Sequence, residues 1–98
     1  GTYDILTSDK KIHDDYRIKY LKEHIDQIGK CIDEGIPVIG YTSWGCIDIV
    51  SAGTSERSKR YGYIYVDADD YGQGTWKRYK KDSFYWYKKV IESNGNVL

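Results

Sequence analysis

An apolar stripe at Ile18, Leu21, Ile25, Ile28 and Ile32 leads through Gly35 and Pro37 into the short run Val38-Ile39-Gly40-Tyr41-Thr42. Alternating spacings of three and four predict one amphipathic helix, N-capped by Asp14 or Asp15 and stopped at Gly35. Residues Pro37 to Thr42 lack polar alternation, the pattern of a strand covered on both faces within a parallel sheet. A helix feeding such a strand is half of a βα repeat, and one strand cannot make a parallel sheet. The chain is therefore expected to be an α/β segment that needs neighbours. Alone it would expose the stripe at Leu21, Ile25 and Ile28 and both edges of its strand.

The remaining elements are shorter. Tyr3 to His13 have no periodicity, and their Thr7-Ser8-Asp9-Lys10-Lys11 centre reads as an exposed connection. Tyr61 to Val66 is a second extended stretch, followed by turn chemistry in Asp67-Ala68-Asp69-Asp70-Tyr71-Gly72-Gln73-Gly74, so a strand or hairpin carried on a loop is expected. A terminal amphipathic helix is predicted from a cap at Asp82 or Ser83, through Phe84, Tyr87, Val90 and Ile91, to a stop at Asn94-Gly95. No repeat, low-complexity tract or linker divides residues 1–98, which read as part of a single domain. Helix, buried strand, long loop and helix is the order expected at the end of a (β/α)8 barrel, with its eighth strand at Pro37 to Thr42.

Charge and composition exclude several function classes. Fifteen basic and fifteen acidic residues give a formal net charge of zero, so neither nucleic acid nor an anionic membrane is expected as a partner. The basic stretches Arg57 to Arg60 and Lys77 to Lys81, interleaved with Trp76 and Tyr79, resemble a single-strand nucleic-acid surface only until their acidic neighbours are counted. The longest apolar run, around Ile36 to Tyr41, falls far short of the roughly 20 residues that span a bilayer. No secretory signal is visible near Gly1. Cys31 and Cys46 are too few for a zinc site or a disulfide scaffold and read as buried thiols, which fits a reducing cytoplasm. His13 and His24 lack a second ligand at metal spacing, and no metal or other cofactor is implied.

The run Gly40-Tyr41-Thr42-Ser43-Trp44-Gly45-Cys46-Ile47-Asp48-Ile49-Val50-Ser51 resembles the strand-8 loop of family 1 glycoside hydrolases, with Trp and Asp four apart. The likeness continues through Ser58-Lys59-Arg60-Tyr61-Gly62 and Tyr65-Val66-Asp67. It ends in Lys81-Asp82-Ser83-Phe84-Tyr85-Trp86-Tyr87, which looks like the family's terminal Lys-x-Ser-x-x-Trp-Tyr helix. Tyr16-Arg17-Ile18 to Tyr20-Leu21 resembles the start of the helix preceding strand eight. The resemblance implies the C-terminal segment of a (β/α)8 TIM barrel: helix 7, strand 8, a long loop with a short hairpin, and the terminal helix.

Members of the family that act on plain glucosides carry a Glu-Trp pair where this chain has Ser51-Ala52. A carboxylate at that place would repel a 6-phosphate, whereas a serine hydroxyl can donate to it. The resemblance therefore implies the 6-phospho-β-glucosidase branch, with Ser51, Lys59 and Tyr61 binding the substrate phosphate and Trp44 lying beneath the sugar ring. Ala52, in place of the galactosidase branch's tryptophan, favours phosphoglucosides. Retaining glycosidases need two carboxylates about 5 Å apart. The family's Asn-Glu-Pro and Glu-Asn-Gly stretches are both absent here. Gly1 to Leu6 resembles the sequence just after the second, so the chain is expected to start beyond the nucleophile and to carry no catalytic residue.

Blander readings stand beside these. Ser51, Lys59 and Tyr61 are otherwise a loop serine, a solvated lysine and a strand tyrosine. Trp44 is otherwise a core or interface aromatic, while Trp76 and Trp86 read as structural. Asp48 is expected to be a hydrogen-bonding aspartate of the loop and not an acid catalyst. Two rival roles remain for the chain by itself: a stand-alone, non-catalytic sugar-phosphate binding module, or an inactive truncated piece held by self-association.

Overall fold

A computed structural model describes residues 1–98. The first helix, α1 (Asp15–Asp33), covers the predicted stripe. It buries Leu21, half-buries Ile18, Ile25 and Ile28, and leaves Ile32 exposed. Its end follows the glycine rule. Gly35 takes φ +85°, while the Ile36 and Gly35 N–H groups donate to the Cys31 and Ile32 carbonyls, both at 3.0 Å, closing the last turn. The second helix, α2 (Asp82–Glu92), stops the same way. Asn94 and Gly95 have positive φ, and the Gly95 N–H reaches the Val90 carbonyl at 2.9 Å.

The helix starts are less local. Asp14 is the N-cap of α1, yet its carboxylate does not cap that helix. It accepts the Ser83 backbone N–H at 2.9 Å and the Ser83 hydroxyl, so it caps α2 across 69 residues of sequence. The expected cap at Asp82 or Ser83 is replaced by this tertiary one, and Lys81 holds the N-cap position of α2.

Strands β1 (Ile64–Val66) and β2 (Arg78–Lys80) form an antiparallel pair with Tyr65 opposite Tyr79. This is the hairpin expected after Tyr61. The turn between them needs Gly74, whose φ is +145° and where an added Cβ would lie 2.2 Å from the Asp67 carbonyl oxygen. Beside β1, Ile47 makes an isolated parallel bridge to Ile64, with the Asp48 N–H donating to the Ile64 carbonyl at 3.0 Å and the Ile64 N–H to the Cys46 carbonyl at 3.2 Å. Gly62 permits that approach, because a Cβ there would meet the Ile47 carbonyl carbon at 2.5 Å.

Two expectations are not met within these residues. Residues 37–42 join no ladder, and Ile39 is fully exposed. A strand meant to be covered on both faces has no partner strand within this chain. Cys31 is half-buried and Cys46 exposed, not buried, and the two are unpaired. The Tyr3–His13 connection also differs, since it anchors Ile12 at 1% exposure.

α1 packs on α2, and α2 on β2. Only 15 of 98 residues are buried, and the radius of gyration is 15.1 Å, against about 13 Å for a compact domain of this length. No helix is long and apolar enough to cross a membrane.

Candidate functional site

The parallel bridge between Ile47 and Ile64 brings the loop after Trp44 against the start of β1. Ser51 is thereby placed beside Tyr61, and their hydroxyls share a hydrogen bond of 3.1 Å. The Ser51 N–H donates to the Glu56 carbonyl at 2.8 Å, and Ser55 N–H to the Ser51 carbonyl at the same distance. The serine thus sits, buried, at the neck of a small loop. Lys59 lies on the returning arm with its side chain 31% exposed, and the Glu56 carboxylate is 3.9 Å from its ammonium. At that length the pair is a weak one. Three of the expected residues therefore come from one loop, and the Ser51–Tyr61 contact is direct.

Trp44 and Tyr61 line a cavity of about 720 Å³ together with Tyr16, Leu21, Tyr41 and Tyr63. Ser51 and Lys59 lie outside it. Trp44 is 59% exposed, so it is not a core residue of this chain. Tyr63, buried against Tyr87 at 5.1 Å between ring centroids, bonds the Ser43 hydroxyl and steadies the backbone just before Trp44. Burial first, and then the charges of neighbouring tyrosines, pushes the Tyr63 phenol above its ordinary pKa, so it stays protonated at neutral pH.

Beneath the loop lies a buried charge network that the sequence did not announce. The Lys81 ammonium, wholly buried, donates to Asp4 at 2.6 Å and to Asp48 at 2.7 Å. Asp48 also accepts the Gly62 N–H at 3.1 Å, and its second oxygen faces Arg60 Nε at 3.6 Å without a hydrogen bond. Asp48 is thus the hydrogen-bonding aspartate of the loop. Arg17 pairs with Asp4 at 3.1 Å and with Asp14. Three cations meet three anions, the balance that buried charges require. Burial works to raise the Asp4 pKa, but hydrogen bonds from Lys81 and Tyr16 outweigh it and hold this carboxyl below its ordinary value.

His24 is a surface residue whose Nδ1 lies 2.7 Å from the Tyr20 carbonyl. His13 is exposed and pairs with Asp82 at 2.7 Å. No group of His, Cys, Asp and Glu is arranged to hold a metal ion.

Comparison with known proteins places this arrangement. The family model "Glycosyl hydrolase family 1" matches residues 2–96. The chain belongs to glycosyl hydrolase family 1. Over its whole length it is 58% identical to the 6-phospho-beta-glucosidase AscB of Escherichia coli (strain K12), of which it covers 21%. It is likewise 57% identical to the aryl-phospho-beta-D-glucosidase BglA of Bacillus subtilis (strain 168), again covering 21%. Among solved structures, the family 1 b-glucosidase from Thermotoga maritima aligns with 94% of the chain and 19% of its own, at 44% identity and a TM-score of 0.82. The chain spans about a fifth of these family 1 relatives and is a segment of their barrel fold.

Proposed function

We propose that the complete protein hydrolyses the β-glycosidic bond of 6-phospho-β-D-glucosides with retention, and that this segment holds the sugar's phosphate end. On this reading α1 is helix 7 of the barrel, residues 37–42 are its eighth strand, and α2 is the terminal helix. The observation that carries it is the meeting of Ser51 and Tyr61 hydroxyls at 3.1 Å on the loop that also bears the weakly paired Lys59. Two hydroxyl donors and a compact ammonium suit a phosphate dianion. Relatives at 58% and 57% identity whose names specify phosphorylated glucosides support the same substrate class.

In such a reaction one carboxylate attacks the anomeric carbon while a second protonates the leaving oxygen. Water, deprotonated by that second group, then attacks the same carbon and releases the first carboxylate, giving the free sugar with its configuration retained. Those carboxylates lie outside these 98 residues. What this segment contributes is position: with the phosphate fixed and Trp44 against the ring, the anomeric carbon is presented in one orientation, and such pre-positioning supplies a large share of catalysis. Two unpaired cysteines suit a reducing cytoplasm, where a phosphorylated sugar is retained.

The test is Lys59→Ala in the complete protein, assayed on p-nitrophenyl β-D-glucoside with and without a 6-phosphate. Losing a charge-assisted contact should lower kcat/KM for the phosphorylated substrate roughly 10- to 100-fold and leave the plain one unchanged. Equal effects on both would refute the assignment.

A further inference from the structure

Lys59 is the one residue of its stretch whose side chain has no firm partner. On one side, the Arg57 guanidinium lies 4.8 Å over the Trp76 ring. Ser58 donates its backbone N–H to Asp70 Oδ1 at 2.7 Å and its hydroxyl to Asp70 Oδ2 at 2.9 Å. On the other side, the Arg60 N–H reaches the Thr2 carbonyl at 2.9 Å, and Tyr61 is fixed by Ser51. Residues 52–55 are all exposed.

Asp70 is itself well placed to act as an anchor. It sits in the β1–β2 connection, in a turn where the Tyr71 and Gln73 N–H groups donate to the Asp69 carboxylate at 2.9 and 2.8 Å. The Ser58 backbone N–H above all, then its hydroxyl, holds the Asp70 carboxyl below the ordinary carboxylate range. It is charged at neutral pH. Its two oxygens engage both polar groups of a single residue, a two-point grip that fixes orientation as well as distance.

We propose that Asp70 is the positioning residue for Lys59: by gripping Ser58 it fixes the backbone one step before the ammonium and so aims that charge at the 6-phosphate. The inference rests on the phosphate-binding reading of Lys59. It makes the hairpin connection part of the specificity for phosphorylated sugars.

The test uses the complete protein with p-nitrophenyl β-D-glucoside 6-phosphate and its unphosphorylated counterpart. Asp70→Ala should raise KM for the phosphorylated substrate about tenfold, in the range expected for a misplaced binding group, with kcat and the plain substrate unaffected. Asp70→Asn, which keeps an acceptor for the Ser58 N–H and can donate to its hydroxyl, should stay close to the parent. Ser58→Ala should move KM the same way by less. In a Lys59→Ala background, Asp70→Ala should add nothing, because the group it aims is gone. If Lys59→Ala lowers phosphate preference but Asp70→Ala does not, or if their effects multiply, the positioning role is overturned while the phosphate site stands. If Lys59→Ala itself leaves the preference intact, the phosphate reading fails and this role with it. Equal losses on both substrates would make Asp70 merely structural.

Discussion

Lys81→Met is the substitution whose outcome the structure constrains most. The parent ammonium is wholly buried and donates to two carboxylates, Asp4 at 2.6 Å and Asp48 at 2.7 Å. Methionine fills similar space without the charge. Six buried groups that were balanced, with Arg17, Arg60 and Lys81 against Asp4, Asp14 and Asp48, would then carry one uncompensated negative charge. Removing one partner from a buried pair costs about 3–5 kcal/mol. Asp4 keeps Arg17 and Tyr16, but Asp48 keeps only the Gly62 N–H and a distant Arg60. The upper half of that range is expected.

In the complete protein this becomes a measurable shift. The 98 residues cover 21% of the Escherichia coli relative, so a complete protein of that relative's length would have about 470 residues. At about 2.1 cal/mol/K per residue, each kcal/mol lowers Tm by about 1 °C. Scanning calorimetry on Lys81→Met should therefore give a Tm about 4–5 °C below the parent. Lys81→Met with Asp48→Asn should recover part of the loss, since the amide still accepts from Gly62 and removes the stranded charge. A single variant within 1 °C of the parent would refute the coupling. So would a double variant that loses the sum of its two single losses.

Two further expectations follow from individual contacts. Asp82, by hydrogen bond and then by charge, raises the His13 pKa above its ordinary 6.5. Because the folded value is the higher one, the pair's contribution to stability is complete below 6.5 and is lost as pH rises through the folded value. A pH titration of the His13 ring by NMR should give a midpoint above 6.5 that falls in Asp82→Asn; a parent midpoint at or below 6.5 disproves the pairing. Gly62→Ala would put a Cβ 2.5 Å from the Ile47 carbonyl carbon and 2.7 Å from the Asp48 nitrogen, both unyielding backbone atoms. About 1–3 kcal/mol of strain should lower Tm, and KM for the phosphorylated substrate should rise as Tyr61 moves away from Ser51. An unchanged KM would show that the close approach does not set the site.

What the sequence disclosed was local, and what it hid was tertiary. The α1 stripe and the stops at Gly35 and Asn94-Gly95 are written in residues three or four apart, and each is found where expected. The capping of α2 by Asp14 spans 69 positions and leaves no trace in either neighbourhood. The expected strand at 37–42 joins no ladder within these 98 residues, which are only a segment of the barrel fold. Cys46 was read as buried on residue type alone; its backbone is held, accepting from Tyr63 and Ile64, while its side chain lies on an uncovered face.

The site shows the same division most sharply in its lysines. Lys77 to Lys81 reads as one basic surface run, yet Lys81 turns inward at the N-cap of α2 and is the most buried charge in the chain, while Lys77 and Lys80 stay exposed. Composition could not separate it from Lys59, and a net charge of zero concealed the difference. The network beneath the loop is neutral within itself, so Lys81 has no capacity left for a ligand. Lys59 has one carboxylate at 3.9 Å and backbone anchors on both sides. A buried ammonium with two short carboxylate contacts is spent on the fold. A half-exposed one, held by its neighbours and nearly unpaired, is what an incoming phosphate dianion can use. That contrast in partners, more than either lysine's place in a motif, is the physical ground for placing one in the structure and proposing the other for recognition.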